Sequence, residues 1–342
     1  MSGFRPVEIV GGGLAGLTLG IGLQRAGVPT TVCEAGEYPR HRVCGEFISG
    51  LDDSTIRTIG LAPALKAARR VAGIGFFSGN NRFVHDRLPA PAYVLSRHVL
   101  DQRLADTFVA AGGILKTRSP VDLSRRPEGR VHCNGRQRRT ASPWIGLKCH
   151  VKGVELRTEL ELHLGRNAYV GLCTVDDTTV NVCGLFRKQA GLGGPAPDIL
   201  PTYLRAAGLH ALVDRLAGVE WLQDSRCAVA GFGFSNAPRD DGTVRLGDAY
   251  AMIAPFTGNG MTIAFQSAEE AIEPLIAWSY RERGWREARG EISRRLRQRF
   301  SRRLRAARLA HPFLLSPAGQ RCFALARRLR LVPIRPWYRL LH

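Results

Sequence analysis

The residues of this chain whose types and spacing could do chemistry begin with Gly11-x-Gly13-x-x-Gly16, followed eighteen positions after Gly16 by Glu34. This pattern holds the ADP part of a dinucleotide. Gly11 permits a tight turn, Gly13 lets the backbone approach the pyrophosphate, and Gly16 lets a helix pack closely on a strand. Glu34 would accept hydrogen bonds from the ribose hydroxyls, which disfavours a 2′-phosphate and so favours FAD or NAD over NADP. The elements needed to position these residues are legible around them. Val7 to Val10 read as a strand, Leu14 to about Ala26 as an apolar-periodic helix ended by Gly27-Val28-Pro29, and Thr30 to Cys33 as a second strand running into Glu34. The helix N-terminus then offers unpaired N–H groups and a positive dipole end to the phosphates.

A second segment narrows the cofactor to FAD. Around Gly247-Asp248 a strand ends, a loop runs through Pro255 and Gly258-Asn259-Gly260, and a helix starts near Met261. With Tyr38-Pro-Arg-His-Arg-Val-Cys-Gly-Glu46 and Pro255-Phe-Thr-Gly-Asn-Gly-Met261, the sequence resembles the flavoprotein superfamily of the para-hydroxybenzoate-hydroxylase-like enzymes and geranylgeranyl reductases, and most closely its reductase-like branch. The resemblance spans about residues 7 to 275. It implies that Asp248 hydrogen-bonds the ribityl chain and that the loop from Pro255 through Gly258 and Gly260 to Met261 lies along the flavin pyrimidine edge. It also implies that Arg97 sits near the FAD phosphates and that Arg42 to Gly45 passes beside the ring. Cys44 in that segment is the candidate proton donor, set against the plainer reading of a small residue in a tight loop. No nucleophile triad, paired carboxylates or metal-ligand cluster competes for the catalytic role, so no metal is expected. His98 and His150 read as lone structural histidines.

The expected fold is α/β, with a Rossmann-like, three-layer FAD-binding domain built on a mostly parallel sheet, an inserted antiparallel-sheet substrate domain and a C-terminal helical region. The FAD-binding domain is expected at 1–50, 92–143 and 225–280, the substrate domain at 51–91 and 144–224, and the basic helical region at 281–342. Alternating runs over Val154 to Leu164, Ala168 to Val175 and Thr179 to Phe186 fit antiparallel strands. Residues 51–91 are expected to add a helical excursion. Tyr169, Asn181 and Phe186 are candidates to face a substrate cavity, against the commoner fate of core packing. After Val131-His-Cys-Asn-Gly135 the chain reaches Trp144 too soon for a further strand and linker, so one strand of the FAD domain is expected to be absent or remodelled.

The eight cysteines fall without a Cys-x-x-Cys pair and read as free thiols in a cytoplasmic protein with neither signal peptide nor spanning helix. The net charge of +20 is concentrated in residues 281–342, where 18 arginines face three acids. Ile292, Leu296, Phe300 and Leu304, spaced by four, could lay a basic helix on the inner face of an anionic membrane or pack on the body. No nucleic-acid reader motif accompanies the charge. The function expected is an FAD-dependent oxidoreductase acting on a hydrophobic small molecule, either a monooxygenase of aromatic or polyketide-like rings or a reductase of prenyl-type double bonds, with NAD(P)H a possible electron donor. The rival is a non-catalytic flavoprotein scaffold whose basic tail binds a partner or a membrane.

Overall fold

A computed structural model describes residues 4–78, 81–136, 142–189, 191–192, 199–233, 241–328 and 338. In chain order it contains β1 (Val7–Val10), α1 (Leu14–Arg25), β2 (Thr30–Cys33), β3 (Phe47–Ile48), α2 (Asp53–Thr58), α3 (Ala62–Leu65), β4 (Arg69–Ser78) and β5 (Asn81–Val94). Next come α4 (Arg97–Ala110), β6 (Ile114–Lys116), β7 (Arg130–His132), β8 (Trp144–Lys152), β9 (Leu160–Gly165), β10 (Ala168–Thr174) and β11 (Thr179–Arg187). The chain continues with α5 (Ile199–Ala206), α6 (His210–Arg215), β12 (Glu220–Ala230), β13 (Val244–Arg245), α7 (Gly260–Ser279), α8 (Trp285–Leu315) and α9 (Pro317–Arg328).

The first sheet has the order β13-β7-β1-β2-β6, with every pairing parallel. Its strands are short and apolar, and α1, α4, α7 and α8 share one buried core with it. From β1 the chain moves outward to β2 and β6, then crosses to the other side of β1 for β7 and β13. The crevice beside β1, where the order reverses, is where open parallel sheets bind ligands. Arg130–His132 forms the strand beside β1, and the Cys133 N–H donates to the Val10 carbonyl at 2.7 Å; the further strand expected to be absent or remodelled would follow Gly135. Residues 117–129 join β6 to β7 without a strand. Positions 137–141 lie outside the described residues.

The second sheet runs β12-β8-β11-β10-β9-β4-β5-β3 and is antiparallel except for the parallel pair β4 and β9. Arg69–Ser78 and Asn81–Val94 are two of its long strands, not the helical excursion expected, which is confined to α2 and α3. Pro89 and Pro91 fall where the pairing of β5 with β4 is interrupted, which is how a strand tolerates residues that cannot donate to the ladder. Because side chains alternate along a strand, the register sorts them into two faces. Leu147, Cys149, Val151, Val170, Val182 and Phe186 pack under α5 and α6 in a core of their own. The opposite face carries three cross-strand rows: His150, Asn181, Cys173 and Leu160; Cys227, Lys148, Cys183, Gly171 and Leu162; and Val229, Gly146, Leu185, Tyr169 and Leu164.

Ile292, Leu296 and Phe300 of α8 are buried in the first core and Leu304 packs against it. That face is therefore occupied by the body and is not available to a membrane. Carboxylates of α7 compensate part of the helix's charge, with Arg299 bonding Glu269 at 2.7 Å and Glu270 at 2.6 Å. Among the described residues no helix is long and apolar enough to cross a membrane.

Candidate functional site

A cavity of about 1010 Å³ lies between the two sheets. Among the residues singled out from sequence, its walls include Gly11, Gly13, Glu34, Arg42, Cys44, Gly45, Arg97, Tyr169, Asp248, Pro255, Gly258, Gly260 and Met261. Gly16, Asn181 and Phe186 stand off it. A cavity of this size is at the upper end of the roughly 300–1,000 Å³ usual for small-molecule sites.

At the nucleotide end the glycines divide by function. A Cβ on Gly16 would stand 2.0 Å from the Gly11 carbonyl oxygen, and Gly11, at φ +103°, is pressed against the Cys133 backbone. Gly13 differs: a Cβ there meets no atom within 4 Å, because the space in front of it is the cavity. Glu34 is buried at the end of β2 and accepts from the Gly12 N–H at 2.8 Å and the Gly36 N–H at 2.9 Å, while pairing with Arg40 at 2.7 Å. Burial pushes its carboxyl up, but these three partners outweigh burial and hold it below the usual range. The oxygen facing Gly12 keeps a lone-pair site for a further donor.

Farther along the cavity, Arg97 grips Asp101 through two bonds of 2.8 Å and Arg42 reaches the same carboxylate at 3.2 Å. Two guanidinium groups thus share one anion, leaving a positive excess that suits phosphate. Asp248 faces the cavity in the turn after β13; burial among protein atoms pushes its carboxyl up, against Arg97, Arg136 and Arg42. Pro255–Thr257 form a 3-10 turn, and Gly258 ends it at φ +68°, where a Cβ would lie 2.9 Å from the Phe47 ring. The chain then enters α7, whose N-terminus opens on the cavity at Gly260 and Met261.

The second sheet holds the segment from Arg42 to Glu46 against the cavity through its first row. Asn181 Nδ2 donates to the Cys44 carbonyl at 3.0 Å, the Cys173 thiol to the Gly45 carbonyl at 3.3 Å, and His150 Nε2 bonds Glu46 Oε2 at 2.6 Å. Asn181 is accordingly a positioning residue and not a cavity wall. Phe186 lies on the other face, 5.4 Å from the Tyr203 ring, because one residue of parity along β11 reverses the side it faces. Tyr169 does face the cavity. Burial pushes the Cys44 thiol up, only partly offset by Arg97 and the Glu46 N–H, so the group is a protonated thiol at neutral pH.

Sequence reasoning missed His41, Glu46 and Lys148 and undervalued His150. Lys148 Nζ lies 3.1 Å from His41 Nδ1 and 3.3 Å from Glu46 Oε1, and Glu46 also accepts from the Arg97 N–H at 2.9 Å. A usable signal existed in β8: Gly146, Lys148 and His150 occupy alternate positions of an otherwise apolar strand, which places two polar groups on one face.

No family model matches the chain and no curated protein matches it. Solved structures do. A flavin-dependent brominase superposes with a TM-score of 0.77 at 20% identity, covering 99% of this chain and 93% of its own. The Pseudomonas aeruginosa protein PqsL in complex with 2-aminobenzoylacetate gives 0.73 at 14% identity, covering 93% and 98%. A geranylgeranyl bacteriochlorophyll reductase-like protein from Thermoplasma acidophilum gives 0.71 at 17% identity, covering 92% and 88%. At these identities the likeness is one of fold, and the fold of this chain is that of the flavoproteins its motifs resemble.

Proposed function

We propose that this protein is an FAD-dependent oxidoreductase acting on a hydrophobic small molecule. The observation that carries the reading is the single cavity that joins the Gly11–Gly16 turn, the N-terminus of α7 and the open face of the second sheet. The residues fit FAD by an independent criterion: at Gly13, Gly45 and Gly260 a Cβ would meet nothing within 4 Å, so the backbone is bare where a flat, extended cofactor would lie against it. When bound, FAD supplies the redox chemistry, either hydride transfer or reaction of its reduced form with O2.

The chain's own residues bind, orient and exclude water. The glycine turn and the N-terminus of α1 take the diphosphate, with Arg42 and Arg97 adding charge, and Glu34 takes the ribose hydroxyls. Asp248 would hold the ribityl chain, and the N-terminus of α7 would offer the flavin ring a positive dipole end. Leu162, Leu185, Tyr169 and Phe76 give the far wall its apolar character and so favour a hydrophobic substrate. Cys44, a protonated thiol on the cavity wall, is the proposed proton donor. NAD(P)H is the proposed electron donor.

The test is the absorbance spectrum and mass of the cofactor on native protein, followed by anaerobic reduction and exposure to O2 with phenols or with polyprenyl substrates. A yellow protein that consumes O2 productively with phenols is a hydroxylase; one that saturates prenyl double bonds is a reductase. A colourless protein that takes up no added FAD would refute the reading and leave the scaffold alternative.

A further inference from the structure

We propose that His41 is the ligand-facing end of a buried donor chain, and that the small molecule sharing the cavity with the cofactor presents a negatively charged oxygen to His41 and to Arg226. The proposal rests on the reading of the cavity as a cofactor and substrate site. It begins with an elementary point: an ammonium group has hydrogens to give and no lone pair to receive with. Lys148 Nζ lies 3.1 Å from His41 Nδ1, so Nδ1 accepts and the ring proton of neutral His41 is on Nε2. His41 lines the cavity and is half-buried. Its Nε2–H is a donor without a protein acceptor among the described residues.

The rest of the chain fixes this arrangement from behind. Lys148 is wholly buried and is held by Glu46 at 3.3 Å; Glu46 is wholly buried and accepts from the Arg97 N–H at 2.9 Å and from His150 Nε2 at 2.6 Å. The His150 N–H in turn donates to the Ser225 hydroxyl at 2.8 Å. The groups facing the His41 ring are Lys148, His150, His98 and Glu46, with His98 stacked on it at 4.5 Å. Burial, and after it the Lys148 charge, hold His41 down to about 4, so it meets a ligand as a neutral donor across the physiological range.

His41, Glu46 and His150 also bring three metal-ligating atoms within 4.8 Å of one another. The Lys148 ammonium stands among them, bonded to two of the three, and a cation in that place opposes a second one. The cluster is a donor chain and not a metal centre.

Arg226 supplies the charge. It lies within the irregular stretch between Leu222 and Cys227, where β12 slips register against β8, and it lines the cavity. Arg40, Arg42 and Arg97 on the same walls are committed to Glu34 and Asp101, and Arg136 donates to the Gly231 and Ala230 carbonyls. Among the described residues Arg226 has no such partner. A half-buried guanidinium kept without an anion is placed for an anion that arrives with the ligand. Carboxylate and phenolate share this chemistry.

The test uses full-length, FAD-loaded protein and four probes: 1-naphthoate and 4-nitrophenolate as anions, methyl 1-naphthoate and 4-nitroanisole as their neutral counterparts, with binding followed by calorimetry. Both anions, or whichever of the two matches the natural class, are expected to bind at least about tenfold more tightly than the neutral partner. His41→Phe and Arg226→Gln are each expected to reduce that preference about tenfold. His41→Gln, which keeps an acceptor for Lys148 and an N–H donor, is expected to retain most of it. Equal binding of anion and neutral, a preference undiminished in both His41→Phe and Arg226→Gln, or no binding of any probe overturns the proposal. The flavin spectrum reports separately on the cofactor reading: protein that keeps its flavin but shows no anion preference overturns this proposal alone, whereas a wild type that holds no FAD overturns the reading on which it rests.

Discussion

Gly13→Val separates cofactor binding from folding. Gly13 sits at the N-cap of α1 with φ −86° and ψ −169°, an extended backbone that valine adopts without strain, and its Cβ position is clear of protein to 4 Å. Two small effects on the folded chain oppose each other. Exchanging glycine for valine at an N-cap costs some tenths of a kcal/mol to about 1 kcal/mol, and restricting the unfolded chain returns about 0.4–1 kcal/mol. The melting temperature of the FAD-free protein should therefore move by no more than a few degrees. FAD binding should suffer far more, because the side chain fills the space through which the backbone would approach the diphosphate. Loss of one or two hydrogen bonds to a charged group, at about 1.5–3 kcal/mol each, predicts a weakening of roughly 10-fold to more than 1,000-fold. Flavin-fluorescence titration measures the affinity, and thermal melts of cofactor-free protein measure the fold. Gly16→Val is the contrasting variant: with the Gly11 carbonyl oxygen 2.0 Å from the new Cβ, it should lose stability and FAD together. Wild-type FAD affinity in Gly13→Val would refute the assignment of this cavity to the cofactor.

If the Cys44 thiol delivers a proton during alkene reduction, Cys44→Ala should slow turnover by roughly 100-fold with FAD affinity unchanged; an unaltered rate removes it from the mechanism. Glu161 tests the second sheet. Burial pushes its carboxyl up, but His163 at 2.8 Å and Arg215 at 2.8 Å outweigh burial and hold it down to about 2. A depressed carboxyl stabilises the fold above its unfolded value of about 4.3 and loses that contribution as pH falls toward 2. Glu161→Gln should flatten the acid limb of a melting-temperature profile between those values, and an unchanged limb would show that the ion pairs contribute nothing. At the end of α8, Leu309 is 69% and Phe313 46% exposed beside the exposed Arg302 and Arg305. If this patch meets anionic lipid, the protein should sediment with phosphatidylserine vesicles at low salt and Leu309→Ser with Phe313→Ser should release it; equal recovery with neutral vesicles argues against an electrostatic contact.

The glycine turn, the strand on either side of α1 and the segment from Gly247 to Met261 were legible because their function is local: each is a backbone shape that few residues can make. The strands β10 and β11 were legible from alternation. The pair β4 and β5 was not, because Gly73, Gly75, Pro89 and Pro91 erase the period that identifies a strand, and pairing at an interrupted edge restores what the sequence lacks. Phe186 shows a different limit: both faces of β11 are buried, one by a core and one by a cavity wall, so alternation reveals two sides without saying which is which. His41 and Lys148 are 107 positions apart, and only the closing of one sheet over the other brings them together.

The three rows on the inner face of the second sheet differ in what they are free to become. The row of His150, Asn181 and Cys173 is spent on fastening the segment from Cys44 to Glu46, through the Cys44 and Gly45 carbonyls and the Glu46 carboxylate, so a change there disturbs the cavity wall that this segment forms. The row of Gly146, Leu185 and Tyr169 lies two residues along each strand beyond the Lys148 row and touches the cavity. Apolar exchange in that row would therefore reshape the cavity while leaving the hydrogen bonds made by His150, Asn181 and Cys173, two rows away, in place.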